Sequence, residues 1–173
     1  MSQIELSYED LRQHMTEEIK KYHLGFLATS EADFVTVRQM QLIINGLTIY
    51  CHTGIYRRKY KQIMANPQVA IAAGNLQIEG IASLRGHPLD EDNAEFREVY
   101  QKTQPERYER STLIHFPRPD QRVIEITPKK ISSYTPPDLE AGKESFHDIL
   151  NIEKQTAHRV YRSDNEESSA YKD

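Results

Sequence analysis

Apolar side chains recur along this chain in two rhythms, one near three and a half residues and one of two, and the switches between them sketch the fold. Leu11, Met15, Ile19 and Tyr22 stand at helical spacing, and Ser7 with Asp10 three residues on resembles a capping box. An amphipathic helix is therefore predicted up to about His23. From Leu24 the rhythm shortens: LGFLATS is a brief apolar run, FVTVRQMQLII is rich in β-branched residues, and Asn45-Gly46 precedes LTIYCH. Asn-Gly between two such runs predicts a hairpin. Residues 56–65 predict a short helix, with Tyr60, Ile63 and Met64 on one face and Asn66-Pro67 as its stop. QVAIAAGN and LQIEGIASLRG predict two more strands broken at Gly74-Asn75.

Residues 88–102 predict a further helix, because Pro88 suits a first turn, acids follow it, and Phe96, Val99 and Tyr100 form a stripe. The prolines of HFPRPDQ mark a loop, and RVIEITPKKISSY returns to alternation as a last long strand burying Val123, Ile124 and Ile126. Beyond Thr135-Pro136-Pro137 apolar residues thin out, so residues 138–173 read as a charged tail, helical in part from Phe146 to Ile152 and disordered near SDNEESSAYKD. Hairpins joined by short helices favour a mainly β fold with helices, an α+β arrangement in which an antiparallel sheet closes into a small barrel over residues 1–137.

Composition narrows the function more than the fold. The chain has 173 residues, enough for one domain with a sizeable core, and its 22 basic and 26 acidic residues leave a net charge of -4. No overall positive field points to nucleic acid, so any basic site is local. A single cysteine, Cys51, excludes an internal disulfide and a multi-cysteine metal site. No export signal or run of 18 apolar residues is evident, which makes the cytoplasm the expected compartment and argues against a membrane partner.

The local basic site is YCHTGIYRRKYKQIMANP, residues 50–67. Thr53 and Gly54 end a strand, and the unpaired N–H groups opening the next helix point back at that strand end, a junction that favours an anion. The Thr53 hydroxyl can donate, Gly54 permits an unusual turn, Arg58 and Lys59 bring charge, and Arg38 on the preceding strand can add a planar fork. Equally, Arg57, Arg58, Lys59 and Lys61 suit the solvated face of a helix. Against that, basic residues at a helix start oppose its dipole unless something negative sits there.

Taken together, LGFLATS, VTVRQMQLI, IYCHTG, YRRKYKQIMANP and LQIEGIASL resemble, in order and spacing, the FMN-binding split barrels of the pyridoxamine 5′-phosphate oxidase-like family. The resemblance spans about residues 20–135 and implies a six-stranded antiparallel split barrel. By carry-over Arg38 and Lys59 would bind the FMN phosphate with Thr53 and Arg58 beside them. The backbone from Arg38 through Gln39 to Met40 would follow the isoalloxazine edge, His52 would pair with Thr53 through main chain, and Asn75 would stand where the oxidase has a flavin-touching glutamine. It also implies a homodimer with flavin between the subunits, its sites completed by partner-chain residues, and an oxidoreductase moving electrons from a donor such as NAD(P)H to a small-molecule substrate. Two departures point away from the oxidase itself and toward general-stress-protein-like relatives. Ile43 replaces the lysine that contacts pyridoxal phosphate, and the chain has no tryptophan.

The remaining residues add little chemistry. The seven histidines show no ligand spacing, and His115, beside a predicted strand, is the one placed to approach a flavin. Cys51 reads as a buried strand residue, the acids of LDEDNAEFREVY as a helix start, Arg107 and Arg110 as solvated, and Tyr100, Tyr108 and Tyr134 as packing. Two alternatives stay open: a flavin or haem binder serving as sensor or carrier, and a basic-helix domain for another phosphate ligand. No catalytic residue and no metal site is expected.

Overall fold

The computed structural model describes residues 2–161, and the segment expected to be disordered near SDNEESSAYKD lies outside them. Strand β1 (Ser2–Glu5) leads into helix α1 (Tyr8–Ile19), which starts as predicted: the Ser7 side chain accepts from the Asp10 amide at 3.3 Å. Leu11, Met15 and Ile19 are its buried stripe.

The two-residue rhythm then becomes β2 (Leu24–Glu31), β3 (Phe34–Gln41), β4 (Ile43–Asn45) and β5 (Thr48–Gly54). β2 and β3 form a hairpin from Leu24↔Gln41 to Glu31↔Phe34, and β4 and β5 turn at Gly46, whose φ of 60° explains the Asn-Gly signal. Helix α2 (Arg58–Ala65) follows and stops at Asn66-Pro67. β6 (Gln68–Ala73) and β7 (Leu76–Leu84) turn at Gly74, φ 58°.

The next helix starts later than Pro88. Residues 87–90 form a turn held by the Asp90 carboxylate on the His87 amide at 2.7 Å, a 3-10 turn spans Glu91–Asn93, and α3 runs Ala94–Thr103. Helix α4 (Pro105–Ile114), with Pro105 in its first turn, fills the stretch before HFPRPDQ that sequence reasoning left without an element. The last long strand, β8, spans Gln121–Thr135 and continues through Pro128, where the register with β7 shifts at Glu79/Gly80. A bulge is one of the few sheet positions where proline's missing N–H does no harm.

The expectation of a helical tail around Phe146 to Ile152 is corrected. That stretch is strand β9 (Phe146–Asn151), followed by β10 (Thr156–Tyr161), and β8, β9, β10 and β1 pair in turn. Asp148 and Leu150 are buried while His147 is exposed, a period of two that sparse apolar composition had hidden.

All pairings are antiparallel. β3 and β4 are one path bent at Leu42, so β2, β3–β4, β5, β8, β7 and β6 close a six-stranded circuit, the split barrel expected. One core fills the barrel and runs under α1, through Leu27, Ile71, Ile78, Ile124 and Met15. A second lies outside β4, β5 and β8, where α3 and α4 bring Phe96, Tyr100 and Phe116 onto Ile43, Tyr50 and Val123. No helix among the described residues is long and apolar enough to cross a membrane.

Candidate functional site

The circuit has one gap. β3 pairs only with β2 along residues 34–41, and β5 pairs only with β8 over residues 51–54, so two strand edges face each other without joining. Exposed edges leave every other backbone N–H and C=O unpaired. A cavity of about 400 Å³ occupies this split, lined by Gln39, Met40 and Gln41 of β3, His52, Thr53 and Gly54 of β5, Arg57 and Lys59 at the start of α2, and His115, Arg118 and Gln121.

Lys59 donates to the Thr53 hydroxyl at 3.2 Å. Burial, with Arg38 and Arg57 nearby, lowers its ammonium below the ordinary lysine range. The helix start carries no acid in its first turn, so basic side chains and unpaired N–H groups converge there, and the one carboxylate beside Gly54, Asp120, is itself bonded to Arg118 at 3.1 Å. The φ of Gly54 is not positive, which corrects the expected unusual turn, and a methyl group there would meet only the movable Asp120 carboxylate.

Arg38 lies behind this cavity. Its terminal nitrogens donate to Leu27 O at 3.0 Å, to Thr29 Oγ1 at 2.6 Å, to Thr36 Oγ1 and to Gln62 Oε1 at 3.2 Å. Gln62, on α2 and 1% exposed, also accepts from Thr29 at 2.6 Å and Thr36 at 2.7 Å.

His52 sits deeper, its Nδ1 3.3 Å from Gln121 Oε1 and its ring centroid 5.3 Å from His115 and 5.7 Å from Phe116. Burial, opposed by the Gln121 hydrogen bond, holds its pKa down at about 4. Burial, helped by Arg118 and Arg110, also lowers His115, so both imidazoles are neutral at pH 7. Cys51 behind them is inert, burial pushing its thiol up to about 12.

The structure thus gathers Gln39, Met40, His52, Thr53 and Lys59 around one space, with Arg38 at its back. Arg58 turns outward, its guanidinium 4.4 Å from the centre of the Phe34 ring. Asn75 occupies the β6–β7 turn, where it donates to Tyr134 O at 3.2 Å and accepts from Tyr22 at 3.3 Å, away from the cavity lining. Gln62, Gln121 and Arg118 had no sequence signal. His115 had a faint one, and α4 with its following turn delivers it. Among the described residues no cluster of His, Cys, Asp or Glu could hold a metal ion.

Residues 11–135 match the family model described as pyridoxamine 5′-phosphate oxidase. Among solved structures, general stress protein 26 of Bacillus anthracis is 21% identical with a TM-score of 0.55, covering 70% of this chain and 91% of its own. A heme storage protein of Vibrio cholerae is 16% identical, TM-score 0.53, covering 67% and 89%. An FAD-binding protein of Mesorhizobium loti is 12% identical, TM-score 0.53, covering 94% and 99%. At these identities the likenesses speak for a common fold. No curated protein sequence matches the chain.

Proposed function

The chain belongs to the pyridoxamine 5′-phosphate oxidase family, and from this we propose that it is an FMN-binding flavoprotein passing electrons from a reduced donor such as NAD(P)H to a small acceptor. The observation that carries the proposal is the convergence of Thr53, Lys59 and the α2 start on one side of the split with the free edge of β3 on the other. A phosphate fits the first and the polar rim of a flat ring fits the second. Thr53 and Lys59 would hold the phosphate, Arg57 and Arg38 would add charge, and the backbone at Gln39 and Met40 would bond the ring edge.

When bound, the flavin supplies the redox chemistry, and the protein's task is to place it and keep one face open. The site suits that division, since its one thiol is buried and its two imidazoles are neutral. Ile43 supports a substrate other than pyridoxamine phosphate, because it is fully buried among Tyr50 and Phe96 and offers an anion nothing. A homodimer is part of the proposal, supported by an exposed apolar face on β2 and β3 formed by Phe26, Val35 and Val37. A cytoplasmic place of action suits the lone buried cysteine.

The His52–His115 pair favours haem as a second reading, since two imidazoles line the same cavity. Absorbance of the purified protein separates the two: a two-band flavin spectrum supports the first, a single intense Soret band the second. Lys59→Ala should weaken FMN binding by about 1.5–3 kcal/mol, and combined with Arg38→Ala should release the cofactor from a folded protein. Equilibrium dialysis finding unchanged FMN affinity in the double variant would sink the FMN assignment.

A further inference from the structure

Gln62 stands one helical turn after Lys59 and on the same side of α2, yet it is buried and does not line the split. Its amide oxygen takes three donors, the Thr29 and Thr36 hydroxyls and an Arg38 terminal nitrogen. The amide nitrogen reaches only Phe34 O, at 3.5 Å. The two hydroxyls also accept from Arg38, so β2, β3 and α2 meet in one closed polar knot. With its terminal nitrogens engaged in this knot and on Leu27 O, Arg38 stands behind the cavity as a fixed positive charge rather than as a free fork.

We propose that Gln62 is the positioning residue for Arg38: it pins the guanidinium behind the Thr53–Lys59 pair through a neutral acceptor, so that the positive charge remains unspent for a phosphate monoester in the split. The inference rests on the FMN reading and adds what that reading lacks, the means by which the second cation is held. An arginine drawn partly out of water ordinarily recruits a carboxylate, and position 62 is where one would fit. The neutral side chain there satisfies Arg38 and both threonines while leaving the charge uncancelled. No side-chain carboxylate accepts from Arg38 among the described residues.

The experiment compares FMN with riboflavin, which share the ring and differ in the phosphate, by titrating each into apo protein and following flavin fluorescence quenching. Gln62→Glu keeps three acceptor contacts for the same donors but neutralises Arg38. It should lower the FMN-to-riboflavin affinity ratio by about tenfold or more, the loss of one charged interaction, while riboflavin affinity and the melting temperature hold. Gln62→Met, which leaves Arg38 charged but loosely held, should lower the ratio less and lower the melting temperature more. A Glu variant that binds both flavins more weakly in equal measure would show a merely structural role and overturn the inference, as would an unchanged ratio. Wild-type protein that binds the flavin ring but does not prefer FMN over riboflavin would remove the phosphate site itself, and both readings would fall.

Discussion

The barrel has two walls that the chain treats in opposite ways. Along β4, β5 and β8 neighbouring residues are buried alternately inward and outward: Ile44, Cys51 and Ile124 fill the barrel, while Ile43, Tyr50 and Val123 meet the aromatic side chains of α3 and α4. Along β2 and β3 the barrel side is closed by Leu27, Thr29 and Arg38, whereas Phe26, Val35 and Val37 face outward, Val37 at 64% exposure. β3 even inverts the usual half-buried pattern, with polar Thr36 and Arg38 inside and valines outside. One wall carries its own cover, the other leaves an apolar row exposed, and the cavity lies on the seam between them.

Breaking the covered wall should have the largest effect. Phe96, 1% exposed and packed edge-on to Tyr50 at 5.9 Å, is expected to cost about 3–5 kcal/mol on mutation to Ala, read as a shift of the urea midpoint. A loss under 1 kcal/mol would mean that α3 is an ornament and not a cover.

Acid should act on the same side through His52. Its folded pKa is depressed to about 4 from an ordinary 6.5, so the unfolded chain binds the proton first. Stability from this group is therefore full above pH 6.5 and is lost as pH falls toward 4. By pH 5 the loss is about 2 kcal/mol. Urea curves at pH 7 and pH 5 should show that difference in the wild type and a smaller one in His52→Gln. An identical pH difference in both would remove His52 as its source.

The bare wall sharpens the contrast with the smallest effect. Val37→Lys should leave the fold within about 0.5 kcal/mol of the wild type and, on the proposed homodimer, abolish self-association in sedimentation velocity. It should also remove any dependence of melting temperature on protein concentration. If Val37→Lys unfolds the chain as Phe96→Ala does, the two walls are alike and the comparison fails.

Much of the barrel was legible because local chemistry and final structure agree: Ser7 caps α1, Asn45-Gly46 and Gly74 turn hairpins, and Asn66-Pro67 stops α2. The covered wall left a trace that the sequence reading did not use: Ile43-Ile44 and Ile49-Tyr50-Cys51 are an unbroken apolar pair and triple of the kind strands buried on both faces require. Alternation in FVTVRQMQ gave a strand but could not say which face looks inward. That depends on α2 arriving with Gln62, nearly thirty residues later. Helix α4 was obscure because its stripe is thin; only Ser111 is buried along it, bonded to the Tyr100 hydroxyl at 2.9 Å. Strands β9 and β10 were missed for another reason: their buried face itself carries a charged pair, Asp148 bonded to Arg159 at 2.7 Å, so polar residues fall on both faces and dilute a real two-residue period. For the site, the basic run marked Thr53 and Lys59. Arg38's internal bonds, Arg58's turn toward Phe34 and Asn75's distance from the cavity are matters of rotamer and tertiary placement, which spacing does not encode.

The pairing of β1 with β10 joins Ser2 to Tyr161 and Glu5 to His158. A chain emerging from the ribosome at about 5–20 residues per second therefore carries its first strand for many seconds before the partner strand exists. Once β8 closes the barrel α1 has a surface to lie on, but residues 2–5 still have no ladder to join. Docking of the first strand thus waits on residues 156–161, and until they arrive β9 is an open edge that only completion of the hairpin can close.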